Sequence, residues 1–189
     1  MITKLSRRGF ALGALSLAGA GEATAQTQSD SAVAATPVPP QPPKPVSKTI
    51  CFVGGYTKHG PPGSAGNGEG IAVFEMARDT GVLTPISTFT DIASPSFITM
   101  SKDHRFLYAL SEISDFNKDG DGSVTAFAVD RKTGSLKKLN AVSSKGAVPA
   151  HLSVHHSWRY VLVANYMGGC VAVLPIKSDG SLGEATDVV

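Results

Sequence analysis

Three of the chain's five histidines fall in "AVPAHLSVHHSWRYVLVANYMGG", Ala147 to Gly169, as His151, His155 and His156. Neutral imidazoles can ligate a metal, and an imidazole that titrates near neutral pH can relay protons. A metal site is disfavoured by the local pattern. The four-residue step from His151 to His155 suits a helix face, but Pro149 and the alternating apolar residues indicate a strand. On a strand, positions 151, 153 and 155 share one face, and position 153 is Ser. Proton transfer is the chemistry that stays open to His151. Its alternative is a hydrogen-bonded structural histidine.

A second cluster, "SDFNKDGDGSVTA", has the first half of a calcium loop in Asp115, Asn117, Asp119 and Gly120, with Asp121 as a further oxygen donor. The loop then fails, because Ser123 and Ala126 stand at its ninth and twelfth positions, the latter reserved for a bidentate Glu. A tight Asp-Gly hairpin is the preferred reading, with weak calcium binding as the alternative. Glu112 in "LYALSE" and Asn165-Tyr166 in "VLVANY" each follow an apolar strand, so they are candidate ligand contacts or turn formers. The Gly/Pro-rich loop Tyr56–Gly70 lacks the phosphate-loop pattern. No cofactor is expected.

The elements that must position these residues repeat. "GIAVFEMARDTGVLTPIS", "SVTAFAVDRKTGSLKKLN" and "CVAVLPIKSDGSLGEATD" each hold an alternating strand, a charged turn ending in Gly, and a second strand. The turn glycines are Gly81, Gly134 and Gly180. "SPSFITMSKDHRFLYALSE" matches "VPAHLSVHHSWRYVLVANY" with Pro95 on Pro149 and Arg105 on Arg159, both 54 residues apart. In this alignment His155 and His156 fall on Ser101 and Lys102, in a turn, so they read as surface residues. His151 falls on Phe97. No window is a convincing amphipathic helix. A period near 50 with about four strands per unit predicts an all-β fold, a β-propeller of four-stranded antiparallel blades. Thr49–Val189 holds about three blades, against roughly four to eight in a closed ring. The chain therefore reads as the N-terminal part of a longer protein, or a piece that must assemble.

"GGYT", "SPSFITMSKDHRFLYALSE", "DGSVTAFAVDRKTGSLKKLN" and "PAHLSVHHSWRYVLVANYMGGCVAVLPIKSDGSL" together resemble the seven-bladed propeller lactonases. That family includes propeller-type 6-phosphogluconolactonases and carboxymuconate cyclases. The resemblance implies about three of seven blades, and hydrolysis of a sugar-type lactone at one mouth of a central channel. His151 matches the family's histidine after the proline, with Glu112, Asn165 and Tyr166 as substrate-binding candidates. The alternatives are a cyclase-like lactone-forming enzyme and a non-catalytic propeller that binds a protein or glycan.

The N-terminal 25 residues read as an export signal. Ser6-Arg7-Arg8-Gly9-Phe10 resembles a twin-arginine motif, "ALGALSLAGAG" follows, and "ATA" ends at Ala25 as a cleavage site. Periplasmic or secreted location, passage through the twin-arginine machinery and no membrane association after cleavage are expected. Residues 26–48, with six prolines from Pro37 to Pro45, read as a disordered linker, and 49–189 as the partial propeller. Beyond the signal, 14 basic residues balance 14 acidic ones, which argues against a nucleic-acid partner. An exported, neutral protein would meet an unphosphorylated lactone more readily than a cytosolic sugar phosphate. Cys51 and Cys170 lie in apolar strands of non-neighbouring units and read as two buried thiols without a disulfide.

Overall fold

The computed structural model describes residues 48–58 and 66–189. The export signal at 1–25, the linker up to residue 47 and the centre of the Tyr56–Gly70 loop lie outside the described residues. Those described form eleven strands and no helix.

Three antiparallel meanders follow in chain order. The first sheet is β1 (Lys48–Val53), β2 (Ile71–Ala77) and β3 (Leu83–Phe89). The second is β4 (Ile98–Met100), β5 (Phe106–Ser111), β6 (Ser123–Val129) and β7 (Leu136–Ser143). The third is β8 (Pro149–Val154), β9 (Tyr160–Asn165), β10 (Cys170–Pro175) and β11 (Asp187–Val188). In the repeat, β1 corresponds to β5 and β9. Among the described residues the first sheet thus has no counterpart of β4 and β8.

The middle sheet is buried on both faces. In β5, Leu107 and Ala109 pack with Ile71, Ile92 and Phe127 towards the first sheet. The alternate residues Tyr108 and Leu110 pack with Leu152, Val161, Val163 and Leu174 of the third. Strand alternation sends successive side chains to opposite faces, so a strand between two sheets must be apolar at nearly every position. The Tyr108 hydroxyl donates to Gly180 O at 3.2 Å. Asn140 exchanges two hydrogen bonds with the Leu182 backbone, tying β7 to the third sheet. The first sheet's far strand is largely exposed, with Leu83 and Ile86 at its surface.

The backbone repeats with the sequence. Ser94 and Val148, 54 residues apart, adopt φ of 39° and 53°. His104 and Trp158, also 54 apart, adopt 56° and 60°. Left-handed backbone at a non-Gly residue persists only where neighbours impose it. Here the carbonyls of Ser94 and Val148 accept from the Glu112 and Tyr166 N–H groups.

Both thiols are free, and each is half-buried, less enclosed than the sequence suggested. Cys51 lies on β1, the edge strand of a three-stranded sheet. Cys170 starts β10, where its Sγ donates to Lys145 O at 3.4 Å.

Candidate active site

One end of the sheets collects the terminal residues of β1, β5 and β9 and the first residues of β4 and β8. Glu112 stands just past β5 and Tyr166 just past β9, in equivalent places. The Glu112 carboxylate is held by two hydroxyls. Tyr56, just beyond β1, donates to Oε1 at 2.8 Å, and Ser96, just before β4, donates to Oε2. Hydrogen bonding to the carboxylate, with a smaller contribution from burial, raises the Tyr56 phenol above its ordinary pKa. Tyr56 therefore remains a donor throughout the neutral range.

Tyr56 reaches Glu112 because the chain around it is stapled to the next blade. Thr57 N donates to Ser94 Oγ at 3.2 Å, and Ser94 N donates to Thr57 Oγ1 at 3.1 Å. Beside them, Gly54 lies against the Pro95 carbonyl. A Cβ at Gly54 would stand 1.9 Å from that oxygen, so the approach requires glycine.

His151 lies on β8 beside a register shift between Pro149 and His151. It is exposed, and its ring packs on Phe97 with centroids 4.4 Å apart. Those two residues are repeat counterparts, so β4 and β8 bring equivalent positions together along the inner edge. An imidazole accessible on one face and backed by a phenyl ring can exchange protons with a bound water or an ester oxygen.

The other two histidines sit at the far end of the strands. From His151 to His155 the strand rises about 13 Å. His155 Nδ1 lies 2.9 Å from Ser157 Oγ within the β8–β9 turn, and the His155 and His156 rings pack at 4.0 Å. Both belong to a surface turn, the placement the repeat alignment implies.

Asn165 is buried, with 3% of its surface exposed. Its Nδ2 donates to Ser144 O at 2.8 Å, and its Oδ1 has no hydrogen-bond partner. Of its two expected roles, the geometry is that of a turn former behind the rim. Tyr166, beside it, is 76% exposed and free to meet a ligand.

The acidic loop between β5 and β6 is closed by its own groups. Asn117 Oδ1 accepts from the N–H groups of Asp119 and Asp121. Asn117 Nδ2 donates to Asp121 Oδ2 at 3.0 Å, and Ser143 Oγ donates to the same oxygen. Asp115 and Asp119 are exposed. Among the described residues no three His, Cys, Asp or Glu side chains are grouped to hold a metal.

Tyr56 and Ser96 are the rim residues that sequence reasoning missed. Their only signals were "GGYT" and "SPS"; Tyr56 meets Glu112 across a blade boundary, and Ser96 meets it within the same blade.

Comparison with known proteins agrees with this architecture. The family model described as "Lactonase, 7-bladed beta-propeller" matches residues 50–189. A 6-phosphogluconolactonase of Bacillus subtilis is 34% identical over 137 residues, covering 72% of this chain and 36% of the relative. One from Formosa agariphila is 28% identical over 131 residues, covering 69% of this chain and 35% of the relative. The solved structure of a Pseudomonas aeruginosa periplasmic gluconolactonase superposes with a TM-score of 0.66 at 31% identity. That match covers 76% of this chain and 39% of the other. The chain thus spans about a third of the length of the curated relatives it matches. With its repeated four-strand units and a match over nearly all the described residues, this chain belongs to the seven-bladed β-propeller lactonase family.

Proposed function

We propose that this chain supplies the first blades and part of the active site of an exported lactone hydrolase. The observation that carries this reading is the rim of the inner edge. There an exposed imidazole and a hydroxyl-held carboxylate come from neighbouring blades of a lactonase-family fold. His151 takes a proton from water as the water attacks the lactone carbonyl, and returns it to the leaving ring oxygen. Glu112 and Tyr166 contact the substrate, and Asn165 braces the strand end behind Tyr166. The relatives, a 6-phosphogluconolactonase and a periplasmic gluconolactonase, support a sugar-type lactone as substrate. The paired Arg7-Arg8 and the "ATA" at Ala23–Ala25 support twin-arginine export to the periplasm.

The test uses the protein purified from its own cells, assayed on gluconolactone and 6-phosphogluconolactone with correction for spontaneous hydrolysis. Enzymatic turnover of at least one is expected. His151→Ala should lower kcat/KM at least about a hundredfold, the scale of a lost general base. A wild-type protein inert towards both lactones would sink the hydrolase reading. Near-normal activity of His151→Ala would remove only His151 from the mechanism.

A further inference from the structure

We propose that Tyr56 and Ser96 are positioning residues that hold Glu112 as a two-oxygen hydrogen-bond acceptor for adjacent hydroxyls of a polyhydroxylated lactone. The inference rests on the hydrolase reading above and adds the substrate groups that this carboxylate recognises.

A free glutamate at a strand end would sample several rotamers. Glu112 does not have that freedom, because its two oxygens are bound by hydroxyls from two different blades. Tyr56 binds Oε1 and Ser96 binds Oε2. The Glu112 N–H is fixed as well, on Ser94 O at 3.1 Å. Ser94 in turn is locked to Thr57, the residue after Tyr56, by reciprocal backbone-to-hydroxyl bonds. Both donors are therefore set by the same staple that sets the acceptor.

The chemistry of the held group follows from counting. Each carboxylate oxygen has two acceptor sites, so one donor apiece leaves one free site on each. Two free acceptors on one planar group match two neighbouring hydroxyls of a sugar ring. No cation pairs with Glu112 among the described residues, whose salt bridges join other side chains. Its free sites are thus available to neutral donors. The carboxylate is half-buried, and Tyr56 is 37% exposed, which leaves the group reachable from solvent.

The experiment compares Tyr56→Phe, Ser96→Ala and Ser96→Thr with wild type in the protein purified from its own cells, on gluconolactone. Each deletion removes one hydroxyl and keeps the shape of its neighbourhood. KM should rise about three- to tenfold in Tyr56→Phe and in Ser96→Ala, the scale of one weakened hydrogen bond. The expected kcat stays within about twofold and the melting temperature is unchanged. Ser96→Thr keeps the hydroxyl and should restore KM. Unchanged KM in both deletions overturns the proposal, and so does a fall in kcat at constant KM, which would place Glu112 in the chemical step. The variants come from different blades, so misfolding of one leaves the other to decide. Failure of the hydrolase reading shows separately, as absence of turnover in wild type. Calorimetric binding of gluconolactone then decides, with weaker binding to Tyr56→Phe supporting the clamp and equal binding overturning it.

Discussion

Asn165 offers a quantitative test of the wall behind the rim, because one substitution exchanges its donor for an acceptor at constant shape. In Asn165→Asp, an oxygen replaces the Nδ2 that donates to Ser144 O at 2.8 Å. Ser144 is fully buried and Asn165 nearly so. The introduced carboxyl must either stay ionised against a carbonyl or take up a proton and donate in place of the amide. The second route limits the cost. Protonating a carboxyl of ordinary pKa at pH 7 requires about 4 kcal/mol, and at pH 5 about 1.5 kcal/mol. The variant should therefore lose up to about 4 kcal/mol at pH 7. The sign follows from linkage: the carboxyl's pKa is raised in the folded state, so its stability is intact below the unfolded pKa and is lost as pH rises. Asn165→Ala is the control. It leaves Ser144 O without its donor, costing about 1–3 kcal/mol at any pH. It also removes the partnerless Oδ1, which holds the cost to the lower part of that range. Urea unfolding followed by far-ultraviolet circular dichroism, at several values between pH 5 and 7.5, measures both. An aspartate variant as stable as wild type at pH 7, or a deficit that does not shrink on acidification, would refute the buried amide-to-carbonyl bond.

Two further predictions concern the joints between blades. Gly81 and Gly134 occupy equivalent turns with φ of 71° and 76°, so alanine at either pays the same left-handed penalty of about 1–2 kcal/mol. A Cβ at Gly81 meets nothing, whereas at Gly134 it would stand 2.7 Å from Val73 Cγ1 and 2.8 Å from Ile50 Cγ2. Gly134→Ala should thus cost about 1–3 kcal/mol more than Gly81→Ala, read from urea midpoints, and equal losses would contradict the tight first joint. At the second joint, burial pushes the Tyr108 phenol up to about 12, with smaller contributions from Asp103 and Asp179. Its contribution is complete below the ordinary tyrosine value near 10 and disappears as pH climbs through about 12. Wild type should lose about 2 kcal/mol over that window, while Tyr108→Phe lacks this component; parallel alkaline profiles would count against the burial of the phenol.

What could be read from the sequence divides along a physical line. The repeat was legible because every blade must solve the same local problem, and the solution recurs at the same spacing. The left-handed residues Ser94 and Val148, the turns at His104 and Trp158, and Gly81, Gly134 and Gly180 are all instances. His151 was legible for the converse reason. It breaks the repeat, placing an imidazole where Phe97 stands one blade earlier, and the structure sets those two rings together. Other features depend on what lies across a blade boundary, and there alternation and spacing carry no information. The half-burial of Cys51 goes with an edge strand, and that of Cys170 with its place as the first residue of β10. The amide of Asn165 is committed to a backbone carbonyl 21 residues away, which no side-chain pattern could reveal. Tyr56 and Glu112 are separated by 56 residues, and their contact depends on the Thr57–Ser94 staple and the bare backbone of Gly54. The rim is therefore made of two kinds of residue. Departures from the repeat place an imidazole and a carboxylate at the rim, and hydrogen bonds within a blade and across a blade boundary hold the carboxylate. Only the first kind shows in one sequence, and for that reason the donors that fix Glu112 had to be found from geometry.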